Sequence, residues 1–341
     1  MFGFGRKPFI NVGCKINNCV TTDDRTKLNE SDALIFHFHR YNYNVSDMPP
    51  FRLPHQRYIF YLYEALAHDL EMPFSFSVFA NRTANFFNWT MSHRRDSDVY
   101  SAMTYGVIQR KKTSPIGDRL PPKLSKGVRP EAPSKLMDPF ATANERLQKK
   151  TKLVAWFCSH KDTHGKRQEY FTELSKHIQV DIYGHCGNLS CQPSMSQECN
   201  NLLDTYKFYV SAENSMCPDY VTEKLHRALG RDVVPIVYGG ADYSQYAPPH
   251  SIINVADFKS PKDLANYLKV LDENDALYVR HFEWKRDWEL KGFPRDGWCD
   301  LCEKLNDPTE PVKIYSDLST WWFNDVPCFK GEEYLKSLLL Y

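Results

Sequence analysis

The chain has 341 residues, 42% of them hydrophobic, so it is long enough to bury two separate cores. Its formal charge of +1 lacks the broad basic footprint that neutralises many phosphates, which argues against nucleic acid as a partner. Aromatic residues reach 14%, a content that suggests stacking surfaces for bases or sugars, although most aromatic side chains in any protein fill cores.

In chain order, ALIFHFH at 33–39 and RYIFYLYE at 57–64 read as strands, with a third strand signal at 74–79. Residues 110–137 are rich in proline and basic residues and poor in large apolar ones, and read as a linker. Beyond it KLVAWFC at 152–158 is a buried strand, 167–177 an amphipathic helix and 180–184 a strand ending at a glycine. A strand at 207–211, a helix at 219–229 closed by Gly230, a strand at 233–238 and a helix at 261–271 continue the alternation. Repeated βαβ order predicts an α/β fold with a parallel sheet covered by helices, and the length suits two such Rossmann-like halves. The first half is less regular.

Ten cysteines occur with five glycosylation sequons, at Asn29, Asn44, Asn81, Asn88 and Asn188. Together they favour an oxidising, secretory compartment. No apolar run approaches the roughly 18 residues that span a bilayer, so any membrane anchor is expected to lie outside this chain.

The segment from Glu213 to Arg227, ENSMCPDYVTEKLHR, follows a strand and leads into a helix, a place where open α/β sheets bind ligands. Pro218 suits a first helical turn there. A diphosphate ester would meet main-chain amides and Lys224, while Glu223 would accept hydrogen bonds from sugar hydroxyls. The same pair also suits a solvent-facing helix surface, and no glycine-rich phosphate loop accompanies it. Two further patterns imitate metal sites. Asp96-Ser-Asp98 has the D-x-D spacing that holds manganese on nucleotide sugars, and His37 and His39 share one face of a strand without a third ligand.

The run FYVSAENSMCPDYVTEKLHRAL, followed by VVPIVYGG and VADFKSPKDLANYL, resembles the α-1,3-fucosyltransferases of glycosyltransferase family 10. The similarity extends to KLVAWFCSH, GKRQEYF, FFNWTMSHRRDSDVY and WCDLCEKL. It implies a GT-B fold, two Rossmann-like domains facing a cleft: an acceptor domain at 1–150, a GDP-fucose domain at 151–300, and a tail at 301–341 packing back on the first. It also implies an inverting transfer of L-fucose from GDP-β-L-fucose to the 3-hydroxyl of N-acetylglucosamine, in an antenna or an N-glycan core. The donor residues carried over are Ser159, Arg167, Asn214, Tyr220, Glu223 and Lys224, with Arg167 and Lys224 as the catalytic cations on the departing diphosphate. Glu64 takes the place of the general base, although Ala65-Leu66 replace the family's following small residue and proline; Glu71 and Asp47 are substitutes.

His37, His39 and Arg40 occupy the acceptor-selecting strand, where Phe38 and His39 depart from the family's consecutive histidines. No metal or other cofactor is required on this reading, with manganese at most a stimulant. Cys299 and Cys302 are expected to form disulfides to Cys14 and Cys19, or alternatively a redox dithiol; the pairing of the other six is open. The implied location is the Golgi lumen, as the luminal part of a type II membrane protein. Two other readings stand beside this one: a glycan-binding homologue without catalysis, and a metal-dependent transferase using Asp96 and Asp98.

Overall fold

The computed structural model describes residues 3–38, 49, 51–65, 81, 83–101, 106–111, 147–292, 297–325 and 327–339. The chain divides into two compact units. The first comprises Met1–Val107, Ser215–Thr222 and Gly292–Phe329; the second Ile108–Asn214, Glu223–Lys291 and Lys330–Tyr341. This division differs from the expected boundaries near 150 and 300. The tail is shared out at Phe329, and eight residues inside the expected donor segment belong to the first unit.

In the first unit, β1 (Ala33–His37), β2 (Arg57–Leu62), β3 (Trp89–Ser92) and β4 (Val99–Tyr100) form a parallel sheet in that order. Strand β2 is apolar almost throughout because both its faces are covered. Ile59 and Tyr61 pack with Trp89, Met91 and Leu301, and Tyr58, Phe60 and Leu62 pack on the other side with Phe87 and Trp322. The helices Trp298–Leu305 and Leu318–Phe323 supply Leu301 and Trp322. Disulfides Cys14–Cys299 and Cys19–Cys302 join the N-terminal segment to the first of these helices, and Cys217–Cys328 holds the inserted segment. Closing loops of such length removes much chain entropy from the unfolded state, which places each link at about 2–4 kcal/mol or more.

Next in the chain comes β5 (Gly106–Arg110), so the basic segment expected from 110 begins on a strand; its residues 112–137 lie outside the described ones. The second unit is built on β6 (Lys152–Phe157), β7 (Val180–Tyr183), β8 (Tyr206–Ala212), β9 (Val234–Tyr238) and β10 (Ile253–Asn254). These are parallel in the order β10-β9-β8-β6-β7. Alternation again sends neighbours to opposite faces. Ala155 and Tyr209 pack with Leu203 and Ala228 from the helices Gln197–Leu203 and Glu223–Leu229. Trp156 meets Phe171 of the helix Arg167–Ser175 at 5.3 Å. The helix Pro261–Glu273 extends two residues past its expected end. Finally β11 (Trp288–Gly292) pairs with β5. Disulfides Cys158–Cys186 and Cys191–Cys199 complete the pairing, so all ten cysteines are bonded and Cys299-x-x-Cys302 is no dithiol.

The helix expected over 219–229 begins only at Glu223. Asp219 has φ +61°, a left-handed conformation that a helix interior does not accept, and Pro218 and Asp219 form a turn instead. Among the described residues no helix is long and apolar enough to cross a membrane.

Candidate functional site

In the second unit the chain leaves β6 for β7 on one side and later returns to β8 on the other. The carboxyl ends of β6 and β8 therefore flank the topological switch point, where open α/β sheets open a crevice for ligands. The residues following these two strands are the donor candidates Ser159 and Asn214, with Arg167 close behind.

Arg167 is the first residue of its helix and is 3% exposed, in contrast to a solvated arginine of a first turn. Its Nη1 donates to the Ala212 carbonyl at 2.6 Å and its Nη2 to the His160 carbonyl at 3.3 Å, tying the loop after β6 to the end of β8. A second tie runs from the Gly165 amide to the Asn214 carbonyl at 2.7 Å. Only glycine permits that approach without adjustment, since a Cβ there would sit 3.0 Å from the same carbonyl oxygen. The Tyr238 hydroxyl donates to the Gly165 carbonyl at 2.5 Å.

Two loops are thus held rigidly at the crevice, and within them the Oδ1 of Asn214 is buried with no hydrogen-bond partner among the described residues. Leaving a buried acceptor unsatisfied costs about 1–3 kcal/mol, a cost a bound donor group would relieve. Ser159 is exposed.

Lys224 is the second residue of the helix Glu223–Leu229, whose start is fixed by the Ser211 hydroxyl donating to the Lys224 carbonyl at 3.0 Å. Its ammonium lies 3.0 Å from Glu213, which is 1% exposed, and 3.3 Å from Glu223. Burial alone would lower the lysine's pKa, but Glu213 and Glu223 outweigh both that and the repulsion from Arg167, so it is raised. Lys224 is therefore firmly charged, and two carboxylates already share that charge. Glu213 was missed as a site residue in the sequence; the signal was an acid at the end of the wholly buried strand β8.

Tyr220 lies in the other unit. With Ser215–Thr222 it belongs to the first unit, where its hydroxyl donates to Oε2 of Glu64 at 3.1 Å. Glu64 is half-buried and lies two residues past β2. The Tyr220 ring meets His93 edge-on at 5.1 Å, and His93 meets Trp322 at 5.8 Å. Burial, aided by Arg94, lowers His93 to about 4, so it is neutral at physiological pH. No spacing in the sequence singled out His93.

Of the acceptor candidates, His37 is exposed at the end of β1 with its ring 5.1 Å from Tyr61; His39 and Arg40 lie outside the described residues, as do Glu71, Asp47, Asn44 and the strand signal at 74–79. Phe38 is 3% exposed and packs on Phe60 and Phe87. Asp96 and Asp98 are engaged within the first unit, Asp96 by Arg94 at 2.5 Å and the Trp321 indole at 3.1 Å, Asp98 by Lys313 and Tyr315, each at 2.8 Å. Asn29, Asn81 and Asn188 are exposed. Asn88 departs from a surface sequon: it is 1% exposed and its Nδ2 donates to the Lys313 carbonyl at 2.7 Å.

Residues 147–321 match the family model "Glycosyltransferase family 10 (fucosyltransferase) C-term", and residues 3–106 match "Fucosyltransferase, N-terminal". The chain is 37% identical over 301 residues to alpha-(1,3)-fucosyltransferase C of Drosophila melanogaster, covering 86% of this chain and 65% of that protein. It is 34% identical over 324 residues to glycoprotein 3-alpha-L-fucosyltransferase A of the same organism, covering 93% of this chain and 57% of the relative. The chain thus spans less than two thirds of either relative's length. A crystal structure of an alpha1,3-fucosyltransferase with GDP-fucose aligns with a TM-score of 0.49 and 19% identity, over 84% of this chain and 80% of the other. The fold is α/β with two Rossmann-like units, the GT-B class, and the chain belongs to the fucosyltransferases of glycosyltransferase family 10.

Proposed function

We propose that the chain is a GDP-fucose-dependent, inverting α-1,3-fucosyltransferase that acts on the 3-hydroxyl of N-acetylglucosamine. The observation that carries this reading is the group at the switch point of the second unit. There Arg167, Lys224 and the unpartnered Asn214 Oδ1 flank the carboxyl ends of β6 and β8. A diphosphate there would share the Lys224 ammonium with Glu213 and Glu223, Glu223 also being suited to ribose or fucose hydroxyls. Ser159 is a further contact. The names of the relatives supply fucose as the transferred sugar, and the solved structure with GDP-fucose names the donor.

On this reading the acceptor oxygen attacks the anomeric carbon of fucose as the bond to the β-phosphate oxygen breaks. The electron pair leaves with GDP and the hydroxyl proton passes to Glu64. Fixed cations at the leaving diphosphate stabilise charge that grows in the transition state, so they favour it over bound substrate. One displacement converts the β-linked donor into an α-fucoside. Glu64 is supported as base by its half-buried position and its hydrogen bond from Tyr220. His37, with His39 and Arg40, is proposed to choose between antenna and core acceptors. Five disulfides and three exposed sequons support work in the Golgi lumen.

The test is incubation of the full chain with GDP-fucose and a panel of acceptors ending in or branching from N-acetylglucosamine, with the product linkage mapped by NMR. An α-1,3 product is expected, and activity should survive EDTA. Binding of GDP-fucose or glycan without any product would instead identify a non-catalytic homologue. Complete, metal-reversible loss in EDTA would favour the metal-dependent reading.

A further inference from the structure

We infer that Tyr220 positions the general base: its hydroxyl holds one oxygen of the Glu64 carboxylate and leaves the other for the acceptor hydroxyl. The inference rests on the reading of Glu64 as base. It departs from the resemblance, which placed Tyr220 among the donor residues with Asn214, Glu223 and Lys224.

The backbone around Tyr220 explains the departure. Ser215–Thr222 belongs to the first unit, and four constraints keep it there. Cys217 is bonded to Cys328, and the Phe329 amide donates to the Met216 carbonyl at 2.8 Å. Asp219, in its left-handed turn, accepts from the Arg95 amide at 3.2 Å and faces the Arg95 guanidinium at 3.7 Å. Tyr220 itself is 2% exposed and packs in the core beside Phe60, Phe87 and Trp322. A hydroxyl held by a disulfide, a turn and a packed ring has little freedom. Its bond to Glu64 Oε2 therefore fixes a side chain that otherwise rotates about three bonds.

Charge around the pair is ordered to the same end. His93, edge-on to the ring, is neutral, and the neighbouring Arg94 is spoken for by Asp96 and the Trp321 carbonyl. A neutral phenol donates to a carboxylate oxygen, which can only accept. The hydroxyl thus orients the Glu64 carboxylate, and orientation of a reacting group contributes directly to rate.

The test is Tyr220→Phe, which keeps the ring against His93 and removes only the hydroxyl. Expected are a fall in kcat of about tenfold or more at saturating substrates and a GDP-fucose Kd, by calorimetry, within about twofold of the parent. In a Glu64→Gln background the same change should cost no further activity, as expected of two residues acting as one unit. Glu64→Asp, which draws the carboxylate back without disturbing the Tyr220 core, should show the same fall in kcat with unchanged Kd.

A Tyr220→Phe enzyme with normal kcat overturns the inference. So does one whose loss lies in GDP-fucose affinity with kcat preserved, which would return Tyr220 to the donor site. If Glu64→Gln itself retains near-normal turnover, the reading of Glu64 fails. If Glu64→Gln is inactive and Tyr220→Phe is normal, only the present inference fails.

Discussion

The Lys224 ammonium lies 3.0 Å from the carboxylate of Glu213, an acid only 1% exposed. The lysine proposed to meet the diphosphate is therefore also what makes a buried negative charge tolerable. Lys224→Met should strand that charge and cost about 3–5 kcal/mol of stability, beyond any loss of donor binding. Adding Glu213→Gln should restore most of the melting temperature while GDP-fucose binding stays weak. Equal stability of the single mutant and the parent would refute the structural half of this role.

Arg167 spans two carbonyls from different loops with one planar group. A lysine has a single nitrogen and cannot reproduce both bonds, so Arg167→Lys should lose about 1–3 kcal/mol of stability and weaken GDP-fucose binding at least about tenfold. Calorimetric titration with GDP and GDP-fucose checks both effects, and an unchanged Kd would remove Arg167 from the donor site.

The helix Gly331–Leu339 begins where a Cβ on Gly331 would overlap the His164 carbonyl, and Lys166 pairs with Glu332 at 3.4 Å. The C-terminal helix thus braces the loop that carries Gly165 and Arg167. Gly331→Ala should cost about 1–3 kcal/mol through overpacking and raise the KM for GDP-fucose more than it lowers kcat. Thermal melts and initial rates measure the two effects; an unchanged melting temperature would show that the helix does not press on this loop.

His93 and His281 are both lowered by burial to about 4, against some compensation from backbone hydrogen bonds. Between their unfolded value of 6.5 and about 4, the unfolded chain binds protons that the folded chain refuses. Stability is therefore lost as pH falls through this window, by about 1.4 kcal/mol per pH unit for each histidine. Melting temperatures between pH 7 and 4.5 should decline accordingly, and less steeply in His281→Gln. An identical slope in that variant would count against the assignment.

Asn88 should carry no glycan. Its Oδ1 accepts from the Tyr58 amide at 2.8 Å while its Nδ2 donates to the Lys313 carbonyl, so the amide is consumed in joining β2 to the loop around Lys313. Peptide mapping of protein from a glycosylating host should find it unmodified, in contrast to the exposed Asn29, Asn81 and Asn188. Asn88→Ala should cost about 1–3 kcal/mol by orphaning buried polar groups.

Much of the second unit was legible because its strands are continuous apolar runs and its helices alternate with them. The observed strands at Lys152–Phe157, Val180–Tyr183 and Val234–Tyr238 end within one residue of the expected ones. The start of the helix at Glu223 was not legible. Residues 219–222 have the composition of a first turn, and only the disulfide from Cys217 and the left-handed Asp219 draw them away from it. Asn88 reads as a sequon by its three-residue pattern, and burial is a property that pattern does not carry.

Local order was thus determined by the sequence itself. Hydrophobic periodicity, a long family signature and ten cysteines with sequons sufficed for an α/β chain of glycosyltransferase family 10. Partnership was decided by the tertiary structure alone. That Tyr220 reaches Glu64 and that Asn88 is spent inside the first unit depend on contacts between residues far apart in the chain, and that Glu213 shares Lys224 depends on the path of the turn between them. No local pattern encodes such contacts, because they exist only once sheets, disulfides and buried charges have found a common arrangement.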